Sequence, residues 1–169
     1  MKEKKYLHIY IGNGKGKTTA AAGLSIRALG RNLSVAFLQF LKNGSSGEIK
    51  SLEMLGAKTF SAGGSKFFYL MTASEQKNAS NEIISLLNNI EALHFDIIVL
   101  DEILDVIDNN IISESRLSDF IKHKLPESEI ILTGRTAGDN LIKLADYVSE
   151  IHAVKHPYNK NIPARKGIE

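Results

Sequence analysis

Between Ile9 and Ala21 the chain reads IYIGNGKGKTTAA, where Gly12, Gly14 and Gly16 alternate with Asn13 and Lys15 before Lys17, Thr18 and Thr19. Residues of these types at this spacing suit the holding of phosphate. Glycines let backbone N–H groups turn inward and approach phosphate oxygens, and a helix that follows adds its positive N-terminal end. Lys17 supplies a mobile point charge, and the Thr18 hydroxyl can ligate Mg2+. The loop pattern G-x-x-x-x-G-K-[ST] is anchored on Gly16, Lys17 and Thr18, but its first glycine would fall on Ile11. Charge-assisted hydrogen bonds contribute about 1.5–3 kcal/mol each, so roughly five of them hold a polyphosphate firmly.

A second cluster lies in IIVLDEI, four apolar residues that run into Asp101 and Glu102. A buried strand of this kind delivers its acids to the carboxyl edge of a sheet, where one carboxylate binds Mg2+ directly or through water. Such acids also commonly just cap the next helix. In ILTGR the same geometry recurs, and Arg135 is positioned to reach a terminal phosphate bidentately. Phe67, Phe68 and Tyr69 form the dense aromatic cluster, which reads first as core and second as a stacking platform. His152 and His156 stand four apart without a visible third ligand.

These residues need a scaffold, and the hydrophobic pattern supplies one. YLHIYI, SVAFLQF, FDIIVLDEI, EIILTGR and YVSEIHAV read as strands, and GAKTF as a sixth, short one. TTAAAGLSIRALG reads as a helix in which Ala20, Gly23, Leu24 and Arg27 recur, with Gly30 as a left-handed C-cap. Thr72 and Glu75 form a capping box before a helix carrying Ala79, Ile83, Leu87, Ile90 and Leu93 on one face. Ser113 caps a helix with Leu117, Phe120 and Ile121, and another helix is expected around Asp139 to Ala145. LKNGSSGEIK is read as loop. Strands alternating with helices, several of them continuously apolar, argue for an α/β fold with a mostly parallel sheet of about five or six strands covered on both faces. One domain is expected over 1–169, with KHPYNKNIPARKGIE (155–169) lying over it as an extended C-terminal arm.

The bulk numbers exclude several classes. With 43% hydrophobic and 24% charged residues over 169 positions, the chain reads as ordinary globular protein. It has no cysteine, which removes disulfides, thiolate metal sites and a cysteine nucleophile and is compatible with a cytoplasmic setting. A net charge of +2 gives no argument for nucleic acid, and no apolar run approaches the roughly 18 residues of a membrane span. No N-K-x-D motif stands downstream to read guanine, and neither an ABC-type signature nor the protein-kinase set is present. Residue chemistry alone thus reaches a Mg2+–nucleoside triphosphate protein whose reaction stays open.

The offset glycines of GNGKGKTTAA closely resemble the loop of the P-loop-type ATP:corrinoid adenosyltransferases. The agreement continues through RALGRNLSVAFLQFLKN…GE, IIVLDEI, LTGR with ADYVSEI, and KHPYNKNIPARKGIE, and so covers almost the whole chain in order. The resemblance implies a P-loop NTPase-like (RecA-like) three-layer sandwich. It also implies an alkyl transfer: Co(I) of a reduced corrinoid attacks the 5′ carbon of ATP and triphosphate leaves. ATP would lie reversed in a cradle of Gly12, Asn13, Gly14, Lys15, Gly16, Lys17, Thr18 and Thr19. Lys17, Lys15, Arg135 and Mg2+ (or Mn2+) on Thr18 and Glu102, with Asp101 as the neighbouring acid, would stabilise the departing charge. The corrinoid would enter beside Lys42 to Glu48 and Phe67, Phe68 and Tyr69.

A homodimer and a transient flavoprotein reductase are the implied protein partners, with no nucleic acid or membrane. Two departures from the family pattern stand out. Longer members carry a segment before the first strand, which here starts almost at Met1. Members also tend to have a Phe-Thr-Trp type motif, where this chain has KFFYLM and no tryptophan. The rival readings are a conventional P-loop ATPase or kinase, which would give ADP and phosphate, and a non-catalytic nucleotide-dependent corrinoid-binding module.

Overall fold

In the computed structural model, which describes residues 4–64 and 66–168, six strands form one sheet. The charged start at Met1–Glu3 and the last residue of the arm, Glu169, lie outside those residues. The strands are β1 (Leu7–Ile11), β2 (Val35–Phe40), β3 (Lys58–Ala62), β4 (Ile97–Asp101), β5 (Glu129–Thr133) and β6 (Tyr147–Glu150), in the spatial order β3-β2-β4-β5-β1-β6. Every neighbouring pair is parallel. Parallel neighbours need crossovers, and six helices provide them: α1 (Lys17–Leu29), α2 (Gly47–Met54), α3 (Ala73–Glu91), α4 (Ile103–Asp108), α5 (Glu114–Lys124) and α6 (Asp139–Leu144).

Two apolar layers flank the sheet, as continuous strand runs require. On one side Ala21, Ala22 and Ala28 of α1 and Ile49 and Leu52 of α2 pack on Val35, Phe37, Val99 and Ile131. On the other, Ile83, Leu87 and Ile90 of α3 and Leu117, Phe120 and Ile121 of α5 cover Leu38, Phe40, Ile98, Leu100, Ile130 and Leu132. Burial of each such Leu, Ile or Phe contributes on the order of 1.5–3 kcal/mol, so this double layer fixes strand order and, with it, which loops meet at the carboxyl edge.

Several local expectations hold. The Thr72 side chain accepts from Glu75 N while the Glu75 carboxylate takes Thr72 N, a complete capping box. Ser113 accepts from Arg116 N at the start of α5. GAKTF does contribute a strand, β3.

Others are corrected. Helix α1 buries Ala21, Ala22, Ser25 and Ala28, while Ala20, Gly23 and Arg27 face outward, because small side chains let the helix sit close on the sheet. Gly30 has a right-handed φ of −64°, and the left-handed turn comes two residues later at Asn32, with φ 61°. Leu93 lies beyond the end of α3 and is exposed. LKNGSSGEIK is loop only to Ser46; Gly47 starts α2, whose Ile49 and Leu52 are buried. YVSEIHAV pairs only over Tyr147–Glu150, because β1 offers no partner beyond Ile11. Apart from these, the C-terminal stretch contains a 3-10 turn, Pro157–Lys160, and residues 157–168 are exposed.

Candidate active site

The glycine-rich loop follows β1 and leads straight into α1, at the carboxyl edge of the sheet. Its unusual glycine spacing answers to segments distant in the chain. Gly12 N donates to Arg135 O at 3.0 Å and Gly14 N to Ile151 O at 2.7 Å, so the loop is laced to the segments after β5 and β6. Gly12 has φ 116°, and a β-carbon on it would collide with the Ile151 carbonyl; one on Gly14 would stand 2.7 Å from the same oxygen. Asn13 secures the lacing, since its Oδ1 accepts from Ala153 N at 3.0 Å.

Beside those engaged amides, further backbone donors stand at the helix start. The first intrahelical bond of α1 runs from Ala20 N to Gly16 O at 2.8 Å, which leaves the amides of Lys17, Thr18 and Thr19 without a helical partner. Lys17 arches over the loop, and its Nζ donates to Gly12 O at 2.7 Å and Gly14 O at 2.9 Å. Burial pulls the Lys17 ammonium below the ordinary lysine range, with Asp105 the main opposing charge. Lys15 is exposed.

The acids of β4 meet the loop. Asp101 is fully buried and accepts at Oδ1 from Thr18 Oγ1 and Thr133 Oγ1, both at 2.8 Å. Its Oδ2 takes Gln39 Nε2 and Lys42 Nζ, both at 3.3 Å. Glu102 stands at the N-cap of α4 but makes no side-chain cap bond there; its Oε1 lies 2.9 Å from Lys42 Nζ. The helix-cap role open to these acids on sequence is therefore not the one their side chains take. Burial raises the Glu102 carboxyl above the usual range, against the pull of Lys42. Burial also weighs against charge on Lys42, but Asp101 and Glu102 outweigh it and hold this ammonium above an ordinary lysine.

Arg135 follows β5, with its backbone carbonyl on Gly12 N and its side chain 83% exposed, the Nε 3.9 Å from Asp105 Oδ1. Gly134 before it sits where a β-carbon would meet Asp105 N at 3.2 Å, which keeps this turn close to the start of α4. Phe67 and Tyr69 do not enter the core. They are 69% and 73% exposed, with stacked rings 5.6 Å apart, and Phe68 between them is half-buried.

The site thus comprises a glycine loop laced at two points and a threonine bonded to a buried aspartate, and the chain also carries an exposed aromatic pair, Phe67 and Tyr69. A family model described as ATP:corrinoid adenosyltransferase BtuR/CobO/CobP matches residues 3–169. The chain belongs to this family. It is 29% identical over 170 residues to the corrinoid adenosyltransferase of Escherichia coli (strain K12), which covers 99% of this chain and 86% of that protein. The corrinoid adenosyltransferase CobA of Salmonella typhimurium matches with the same identity and coverage. The corrinoid adenosyltransferase of a Sinorhizobium species is 28% identical over 179 residues, with 99% and 81% covered. Among solved structures, the flagellar accessory protein FlaH from Methanocaldococcus jannaschii shares the fold, with a TM-score of 0.57 at 16% identity over 86% of this chain and 70% of that one.

This corrinoid adenosyltransferase therefore uses ATP and a reduced corrinoid as substrates, transferring the 5′-deoxyadenosyl group to Co(I) and releasing triphosphate. Four residues around the acids carry no local sequence signal for that place: Gln39, Thr133 and Asp105, and Lys42, which on sequence marks only the start of a loop beside the corrinoid. Strand register is the signal for two of them, Gln39 and Thr133. Gln39 lies opposite Asp101, and Thr133 ends the strand on the other side of β4. Among the described residues no group of three or more His, Cys, Asp or Glu side chains is arranged to hold a metal.

Proposed function

We propose that the triphosphate of ATP lies along Gly12–Thr19 against the first turn of α1, reversed so that the ribose faces the corrinoid. The observation that carries this reading is the 2.8 Å bond from Thr18 Oγ1 to Asp101 Oδ1, which joins the glycine loop to the acid strand. Lys17 and the amides at the start of α1 hold the phosphate oxygens. Lys15 and Arg135, both exposed, have the reach to meet the outer phosphates once ATP is bound.

The donor set suits Mg2+ or Mn2+: a threonine hydroxyl, a buried aspartate and a neighbouring glutamate are hard oxygen ligands, too few to form a cage without phosphate. Thr18, Asp101 and Glu102 would hold the ion, and when bound it supplies positive charge to the departing triphosphate. The corrinoid itself is the nucleophile, so the protein needs no side-chain base. Its tasks are alignment of cobalt with C5′ and stabilisation of the leaving group. The exposed faces of Phe67 and Tyr69, with Phe68 as their support, provide apolar contact for the corrinoid.

We assign the sheet to the P-loop NTPase-like, RecA-like class. The placement of one strand, β5, between the loop strand and the acid strand supports this. A single domain over 1–169 with 155–169 as its arm, a homodimer, transient electron delivery by a flavoprotein and a cytoplasmic location complete the proposal. No helix among the described residues is long and apolar enough to cross a membrane.

The test mixes the enzyme and its Thr18→Ala variant with Mg2+–ATP and chemically reduced cob(I)alamin. A light-sensitive adenosylcobalamin spectrum with stoichiometric triphosphate in the wild type, slowed by about a hundredfold in T18A, is expected. Equal rates in the two proteins would overturn the loop assignment.

A further inference from the structure

Asp101 has two oxygens with about four lone-pair positions in all, and four donors occupy them: Thr18, Thr133, Gln39 and Lys42. A divalent cation can reach this carboxylate only by displacing one. Thr133 is fixed, because its hydroxyl also accepts from Glu102 N at 2.8 Å. Gln39 is fixed too, since Ser46 Oγ donates to its Oε1 at 2.8 Å and its amide is buried. Thr18 is a fellow ligand in the reading given above. The one donor that competes in charge and sits on a flexible stem is Lys42, whose Nζ bridges Asp101 Oδ2 and Glu102 Oε1.

The backbone is bent to aim that bridge. Leu41, immediately before Lys42, has φ 57°, and Glu102 has φ 63°. A left-handed conformation is costly for a residue as bulky as leucine or glutamate, and such strain gathers where a site must hold one arrangement. Leu41 is held there by close packing on Gly63, where a β-carbon would stand 2.8 Å from Leu41 Cα. Both partners of the ion pair thus leave the ends of adjacent strands from strained residues, and each side chain turns toward the other.

We propose that Lys42 is an internal counter-ion that occupies the metal side of the acid pair and makes divalent-cation binding depend on ATP. This deepens, and rests on, the assignment of Thr18, Asp101 and Glu102 to the metal. With the ammonium in place, a cation gains only two carboxylates already neutralised in part. When ATP adds phosphate oxygens and negative charge, the divalent ion prevails, and the displaced ammonium remains tethered beside the triphosphate. Lys42 is on this account a positioning residue: it holds the acids pre-aligned, and it sets the order of assembly.

The experiment measures protein-bound Mn2+ by electron paramagnetic resonance for wild type, K42M and K42R, each with and without ATP, together with thermal unfolding with and without Mn2+. Nucleotide-free K42M is expected to bind Mn2+ about tenfold more tightly than wild type, while K42R stays near wild type. ATP should tighten Mn2+ binding much more in wild type than in K42M. Metal-free K42M should melt lower than wild type and recover on adding Mn2+. K42Q carries the same expectations should K42M fail to fold. Equal Mn2+ affinities in wild type, K42M and K42Q, with Mn2+ bound normally in the presence of ATP, would overturn the role of Lys42 and leave the metal assignment standing. Absence of protein-bound Mn2+ in wild type with ATP would overturn both.

Discussion

Gly14 donates its N–H to the Ile151 carbonyl at 2.7 Å, and that same oxygen stands 2.7 Å from where a β-carbon on Gly14 would be. Two glycines of the loop are thus demanded by the strand end that lies over them, whereas Gly16, with φ 124°, has open space around its missing β-carbon. Substitution should separate these cases. G14A pushes the loop off backbone atoms that cannot yield, and a loss of about 2–4 kcal/mol is expected in denaturant unfolding, together with weakened ATP binding. G16A meets only conformational strain, roughly 1–3 kcal/mol. A Gly14 variant as stable as wild type would show that the loop is not held by the segment after β6.

Asp101 accepts four hydrogen bonds while fully buried, so its replacement by asparagine turns one acceptor into a donor facing Gln39 and Lys42. D101N should be destabilised by about 3–5 kcal/mol, the range for stripping one partner from a buried ion pair. Adenosyl transfer should fall more than a hundredfold, measured by adenosylcobalamin formation under saturating ATP. A variant that keeps its stability and loses only turnover would indicate that Lys42 finds another partner.

The Phe67–Tyr69 pair is exposed and buries no core surface, so its removal should leave the fold alone. F67A combined with Y69A is expected to stay within about 0.5 kcal/mol of wild type. ATP affinity should be unchanged while the KM for the corrinoid rises severalfold. Steady-state kinetics with each substrate varied in turn reads this directly, and a change in the ATP parameters alone would count against a corrinoid surface here.

Acid should loosen this aromatic segment before it unfolds the protein. Lys66 bonds the Glu75 carboxylate at 2.7 Å, and with the Thr72 backbone and hydroxyl it lowers that carboxyl from 4.5 to about 2. A depressed carboxyl stabilises the folded form above its ordinary range, and the contribution disappears as pH falls from there toward 2. The hydrogen-exchange protection factor at the first turn of α3, taken against the intrinsic rate at the same pH, should therefore fall in wild type between about pH 4.5 and 2. In E75Q the protection factor should be low throughout and nearly independent of pH. Parallel profiles in the two proteins would remove Glu75 as the titrating group.

The sequence by itself determined the layers and the chemistry of the site. Continuous apolar runs such as IIVL and VAFL belong to strands buried on both faces, and period-3.6 runs such as Ala79, Ile83, Leu87 and Ile90 belong to the helices that cover them; both are local patterns. The pairing of GKT with a strand ending in Asp-Glu likewise needs only residue type and order, and the full set of matching stretches was enough to indicate the family. Tertiary structure decided what depends on contact between distant segments. That Gly12 and Gly14 answer to Ile151, that Lys42 bridges Asp101 and Glu102, and that Gln39 stands opposite Asp101 all follow from strand order and register. Register is set by how the whole sheet buries its two faces, a sum over many weak contacts that no short stretch of sequence contains. The same holds for Phe67 and Tyr69, whose aromatic character reads as core until the fold is found to fill its interior with other side chains and leave these two outside.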